Sequence, residues 1–193
     1  MIKNIIFDLG NVLINYDFEL FFEKLGYARA ERSLAEADHL IQPFECGELE
    51  IMEFINGLSS VYHNDLTIED FTEAWCDIFW ENKPLLAIAE KLKEKYRIMI
   101  LSNNDELHFP YIWEKYPSLH FFQNEDIMIS SRLGYIKPDK GIYVQAAEKH
   151  NFNWEESLFI DDKQENILMA ENMGARVIWH RVNEITNSEL KAI

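Results

Sequence analysis

Residues 4–13 read NIIFDLGNVL: a short apolar run, a lone aspartate at Asp8, and a glycine two residues later. Asn4 to Phe7 suits a buried strand of a parallel sheet, because an uninterrupted apolar run bounded by turn residues fits a strand covered on both faces. Asp8 then stands at the strand's carboxyl end, the edge where open α/β sheets bind ligands. A charge set directly after a core strand costs free energy unless something there uses it. Taken alone, Asp8 reads equally well as the cap of the following turn.

Working outward, the pattern changes twice. From about Phe18 to Trp80 the apolar residues recur at spacings of three and four, as in Leu34–Ile41, Glu48–Val61 and Ile68–Trp80, which predicts a small helical bundle. Asp65 and Thr67 are helix starts, and Thr67 with Asp70 has the form of a capping box with Asp in place of Glu. Beyond Pro84 helices and strands alternate. Helices are expected to Tyr96, over Glu106–Tyr116, Pro138–His150 and Gln164–Met173, with strands at Arg97–Leu101, Asp126–Ile129, Ser157–Ile160 and Arg176–Trp179. The tail from residue 183 is polar and reads as a short or frayed helix. Strand–helix alternation implies right-handed crossovers and a parallel sheet. The expected fold is therefore α/β: a doubly wound, Rossmann-like parallel sheet with an inserted α-helical cap. Residues 1–15 and 84–193 form the core domain of this reading, and residues 16–83 the cap.

Composition narrows the function. Hydrophobic residues make up 48% of the 193, enough for a substantial core. The formal net charge of −16 opposes nucleic acid or an anionic membrane as partner, and an anionic substrate then needs a local positive site. Two cysteines without a CxxC pair speak against a disulfide framework or structural zinc, and fit a reducing cytoplasm. Asp8 interrupts the N-terminal apolar residues, so no signal peptide is expected, and no apolar run has membrane-spanning length.

Polar residues follow the predicted strands at four places. Asp8 follows IIF; Ser102, Asn103 and Asn104 follow IMIL; Lys137 precedes Pro138 in YIKPDKGIY; Asp161 and Asp162 follow LFI, with Asn166 one helical turn on. Each has a plain structural reading as a cap or a solvated charge. In a parallel sheet, however, all four converge on one edge. Carboxylates from two strand ends suit one Mg²⁺ ion. A carboxylate can serve as nucleophile, and a hydroxyl with a lysine can hold phosphoryl oxygens, so the set suits phosphoryl transfer.

With these motifs in order, the chain resembles the haloacid dehalogenase-like hydrolases. FDLGNVL is similar to the family's first motif, MILSNN to the second, YIKPDKGIY to the third and LFIDDKQEN to the fourth, and together they span almost the whole chain. Its FDLGNVL motif is most similar to a branch that includes bacterial glucose 1-phosphate phosphatases and resembles the phosphatase domain of epoxide hydrolases. The resemblance implies Asp8 as nucleophile and metal ligand, the carbonyl of Gly10 as a second ligand, Asp162 as a direct ligand and Asp161 as one acting through water. It implies Ser102, Asn103 and Lys137 as phosphoryl-binding groups, catalysis by Asp8, Ser102 and Lys137, and Asn166 as an orienting residue. It implies Mg²⁺ as cofactor and a small phosphorylated metabolite, with a hexose 1-phosphate the leading expectation.

One position departs from the pattern. Gly10 stands where the family's phosphatases carry the Asp that protonates the leaving group. Three explanations stay open: an anomeric leaving group with less need of acid, a substitute such as Asp17 or a residue within Glu45–Glu48, or a catalytically weak protein. Dehalogenases of the family also lack this Asp and need no metal, which leaves Asp161 and Asp162 unexplained. A non-catalytic binding protein is the third alternative. Phe44, Glu45 and Glu48, near the Gly47 turn, are candidates for sensing substrate. Phe18, Phe21 and Phe22 are expected to pack the cap, and the six histidines to be surface or core residues.

Overall fold

The computed structural model describes residues 1–28, 33–62, 66–181 and 190. Asp65 and nearly all of the tail from residue 183 lie outside the described residues; Leu190 is buried against the core.

Five parallel strands form the central sheet: β1 (Asn4–Phe7), β4 (Arg97–Ser102), β5 (Ile127–Ile129), β6 (Ser157–Asp161) and β7 (Arg176–Trp179), in the order β5-β4-β1-β6-β7. Side chains alternate across a strand, so each strand feeds two cores. Ile5, Phe7, Ile98, Ile100, Leu158 and Ile160 face one layer, with Leu85, Leu86 and Ala89 of α5 (Lys83–Leu92) and Phe109 and Ile112 of α6 (His108–Lys115). Ile6, Met99, Leu101 and Phe159 face the other, with Ile142 and Tyr143 of α8 (Lys140–His150) and Ile167 and Ala170 of α9 (Gln164–Asn172). Both faces are covered, as the apolar runs require. The α/β parallel sheet expected from the sequence is therefore present.

Between β1 and α5 lie α1 (Glu19–Lys24), α2 (Asp38–Glu45), α3 (Ile51–Val61) and α4 (Ile68–Cys76). They enclose a third core of Phe21, Phe22, Phe44, Phe54, Phe71 and Trp75, against which Phe18 packs. Thr67 caps α4 by accepting from Asp70 N at 3.1 Å, while its hydroxyl donates to Asp70 Oδ2 at 2.7 Å.

The structure corrects the sequence reading in three places. The helical block is closed by an antiparallel strand pair, β2 (Ile14–Tyr16) with β3 (Phe79–Glu81), so Trp80 lies in a strand and not at a helix end. Each is three residues long, too short for a period-two pattern to register. α2 runs past Ile41 to Glu45, although Pro43 lies within it. A short helix, α7 (Ser130–Leu133), follows β5. Among the described residues, no helix is long and apolar enough to cross a membrane.

Candidate active site

Register builds the site. β1 pairs with β4 as Phe7↔Ile100 and with β6 as Phe7↔Ile160. One residue further along all three strands come Asp8, Leu101 and Asp161. Asp8 N donates to Ile160 O at 2.8 Å, which continues the ladder to the sheet edge. The chain then leaves the sheet through Asn11, whose φ of 54° lies in the left-handed region that Asn tolerates.

Carboxylate oxygens of Asp8, Asp161 and Asp162 all lie within 4.8 Å of one another. Lys137 reaches into this group from the loop before α8. Its buried ammonium donates to Asp161 Oδ2 at 2.6 Å, to Leu101 O at 2.8 Å and to Asp8 Oδ1 at 2.9 Å, one acceptor for each proton. Burial alone would lower the Lys137 pKa, but Asp161 and Asp8 outweigh it and raise it. Burial pushes the Asp8 carboxyl up to about 7, against the pull of Lys137. Asp162 is raised as well, by burial and by the Asp161 charge. Three carboxylates around one ammonium leave net negative charge in a buried place, and burying it uncompensated is costly. The donors are all oxygens, and Asn166 Oδ1 is buried without a partner among the described residues. This set fits a hard divalent cation such as Mg²⁺.

The residues singled out from the sequence mostly share one cavity of about 90 Å³, lined by Asp8, Gly10, Ser102, Asn103, Lys137, Asp162 and Asn166. Asp161 is fully buried beneath it. Besides Lys137 it accepts from Lys163 N at 2.8 Å and from Asn166 Nδ2 at 2.9 and 3.0 Å. Asn103 uses both ends of its amide on the main chain of Lys137, donating to its carbonyl at 3.0 Å and accepting from its N–H at 2.7 Å. Its side chain therefore positions Lys137.

Asp17 is exposed, accepts from Glu19 N at 2.9 Å and does not line the cavity. Phe44 is stacked on Phe54 at 4.0 Å inside the helical block, and Glu48 is exposed; neither lines the cavity. Glu45, half-buried at the end of α2, does line it.

Other groups at the site escaped the sequence reading. Tyr16 of β2 lines the cavity, and a Cβ added to Gly10 would lie 3.0 Å from its ring. The ring is held edge-on by Phe18 and Phe79, with centroids at 5.5 and 6.2 Å. Tyr16 thus occupies the space that a side chain at residue 10 would need. Gly10→Ala is expected to destabilise the fold by about 1–3 kcal/mol through overpacking. A melting temperature equal to wild type would mean that the ring yields freely.

His108 and Asp105 also line the cavity. His108 Nδ1 lies 3.0 Å from Asp105 Oδ2 and Nε2 lies 3.2 Å from Trp75 O. Both ring nitrogens face acceptors, an arrangement that favours the protonated ring. Burial opposes its charge, but Asp105 raises its pKa overall. No motif spacing marks this pair, because Trp75 comes from a distant helix.

Residues 2–174 match the family of haloacid dehalogenase-like hydrolases. The chain belongs to that family and is a hydrolase. It is 30% identical over 189 residues to the D-ribitol-5-phosphate phosphatase of Bacteroides thetaiotaomicron, covering 90% of this chain and 89% of that protein. A solved family enzyme from the same organism, in complex with magnesium and inorganic phosphate, is 25% identical with a TM-score of 0.84, covering 98% of this chain and 99% of the other. A family hydrolase from Porphyromonas gingivalis is 27% identical with a TM-score of 0.82, covering 100% and 97%.

Proposed function

We propose that the chain is a Mg²⁺-dependent phosphatase of a small phosphorylated sugar or polyol, acting through an aspartyl phosphate on Asp8. The observation that carries this reading is the convergence of the Asp8, Asp161 and Asp162 carboxylates within 4.8 Å, the first two of them held by buried Lys137. Asp8, the Gly10 carbonyl and Asp162 would hold the ion, with Asp161 behind them. Mg²⁺ bound there supplies charge neutralisation and polarises a phosphoryl oxygen. Asp8 attacks phosphorus, and Ser102 and Lys137 hold phosphoryl oxygens. Asn103 and Asn166 keep Lys137 and Asp161 in place.

The named activities of the relatives support a phosphate ester as substrate, and a pentitol phosphate joins the hexose 1-phosphates as a candidate. A cavity of about 90 Å³ suits a small substrate. Residues 16–83 serve in this reading as the cap over a core of residues 1–15 and 84–193, with β2 and β3 as the connection.

The test is phosphate release from a panel of pentitol, pentose and hexose phosphates. Release is expected with Mg²⁺ and is expected to fall at least ~10²-fold with EDTA, since the ion's charge stabilisation is worth several kcal/mol. Chloride release from 2-chloropropionate without phosphate release would replace the reading with a dehalogenase. Release indifferent to EDTA would remove the metal.

A further inference from the structure

Ester cleavage needs a proton for the leaving oxygen, and a general acid contributes about 10²–10⁴-fold to such a step. Gly10 supplies none, and Tyr16 fills the space beside it. The remaining titratable groups of the cavity can be taken in turn. Lys137 donates to Asp8 and Asp161, and in the proposed reading Asp8 and Asp162 would hold the ion. Asp105 has its pKa lowered by His108 against the opposing effect of burial, and it also accepts from Leu107 N and His108 N. Both nitrogens of His108 are committed. Burial and the charges of Asp162 and Asp8 raise the Tyr16 phenol above its ordinary value, so it stays protonated and cannot act as a base. Lys163 carries an exposed side chain at the start of α9 and offers no carboxyl.

Glu45 remains. It is the last residue of α2 and lines the cavity. The chain turns immediately after it at Gly47, with φ of 74°, where an added Cβ would lie 2.2 Å from Ser131 O of α7. Only glycine allows so close a contact in this backbone conformation. The contact seats the end of α2 against the core, beside the cavity. Among the described residues the Glu45 carboxyl has no hydrogen-bond partner of its own.

We infer that Glu45 is the general acid and base of this site, in place of the aspartate missing at residue 10. The inference rests on the phosphatase reading above. In the first half-reaction an oxygen of Asp8 forms a bond to phosphorus as the ester P–O bond breaks. The Glu45 proton goes to the departing oxygen, which leaves as the alcohol. In the second, ionised Glu45 takes a proton from water as the water oxygen bonds to phosphorus. The bond from Asp8 breaks, phosphate departs and Glu45 is again protonated. Burial and the Asp105 charge push the Glu45 carboxyl up to about 7, against Lys163, His108 and Lys137, which suits a group that both gives and takes a proton near neutrality.

The experiment compares wild type with Glu45→Gln and Glu45→Asp in Mg²⁺, on an alkyl phosphate and on 2,4-dinitrophenyl phosphate. The expected result for Glu45→Gln is a fall of about 10²–10⁴-fold in kcat/KM on the alkyl ester and less than roughly tenfold on the aryl ester, whose leaving group needs no proton. The alkaline limb of the alkyl-ester profile is expected near pH 7 in wild type, where Glu45 loses its proton, and absent in Glu45→Gln, with Glu45→Asp recovering part of the rate. Equal losses on both esters would assign Glu45 to binding or structure and overturn the inference, as would retained alkyl turnover. A wild type inactive on every ester would instead overturn the phosphatase reading, and this inference with it.

Discussion

Asp8→Asn is expected to reduce phosphate release by about 10⁴-fold or more, the scale seen when a covalent nucleophile is removed. Its fold should survive. Asp8 Oδ1 accepts from Leu9 N at 2.7 Å and from Lys137 Nζ at 2.9 Å, and an asparagine keeps an oxygen for both. The change removes one of three crowded carboxylates, so melting temperature should hold or rise in the absence of Mg²⁺. What is lost, in the proposed reading, is the charged oxygen that bonds to phosphorus. Turnover within roughly tenfold of wild type, in protein shown by mass spectrometry to keep the substituted amide intact, would remove Asp8 as the nucleophile.

Lys137→Met is expected to fail in a different way. The ammonium satisfies three acceptors, and two of them are the buried carboxylates of Asp8 and Asp161. Breaking a buried pair by deleting one partner typically costs about 3–5 kcal/mol, equivalent to roughly 10 °C in melting temperature for a chain of this size. Activity should drop by ~10²–10³-fold, because in the proposed reading this charge stabilises the phosphoryl oxygens. Mg²⁺ should recover part of the stability, since it supplies positive charge to the same carboxylates and binds only the folded chain. A variant that melts with wild type would show that the Asp8 and Asp161 carboxylates do not depend on this cation. Together the two substitutions separate roles: Asp8→Asn abolishes chemistry at little cost in stability, whereas Lys137→Met damages both.

Much of this site is legible from the chain alone because its parts follow strand ends. NIIF, RIMIL and SLFI announce buried strands, and the residue after such a run has to emerge at the carboxyl edge. That rule alone brings Asp8, Ser102, Asp161 and Asp162 together. It also locates Lys137 through its motif, though not the fact that its ammonium is shared between Asp8 and Asp161. Helical periodicity between residues 18 and 80 announces the insert.

What stays hidden depends on contacts between segments far apart in sequence. β2 and β3 are three residues each, and their pairing is a long-range event without a local pattern. Tyr16 comes to lie beside Gly10 through a turn closed by Ile14 N on Leu9 O and Tyr16 N on Asn11 Oδ1, with its ring then fixed by Phe18 and Phe79. His108 finds an acceptor at each ring nitrogen only because Asp105 and Trp75 O meet it from two sides. Glu45 is marked in the sequence only as one candidate within Glu45–Glu48; folding places it, and not Glu48, on the cavity wall. Local sequence thus determined the sheet, its reactive edge and the acidic, metal-suited chemistry there, since strand propensity and side-chain alternation act over a few residues. Tertiary packing decided what fills the space above Gly10 and which carboxyl of the helical block lines the cavity, because those choices turn on steric fit between parts of the chain brought together by folding.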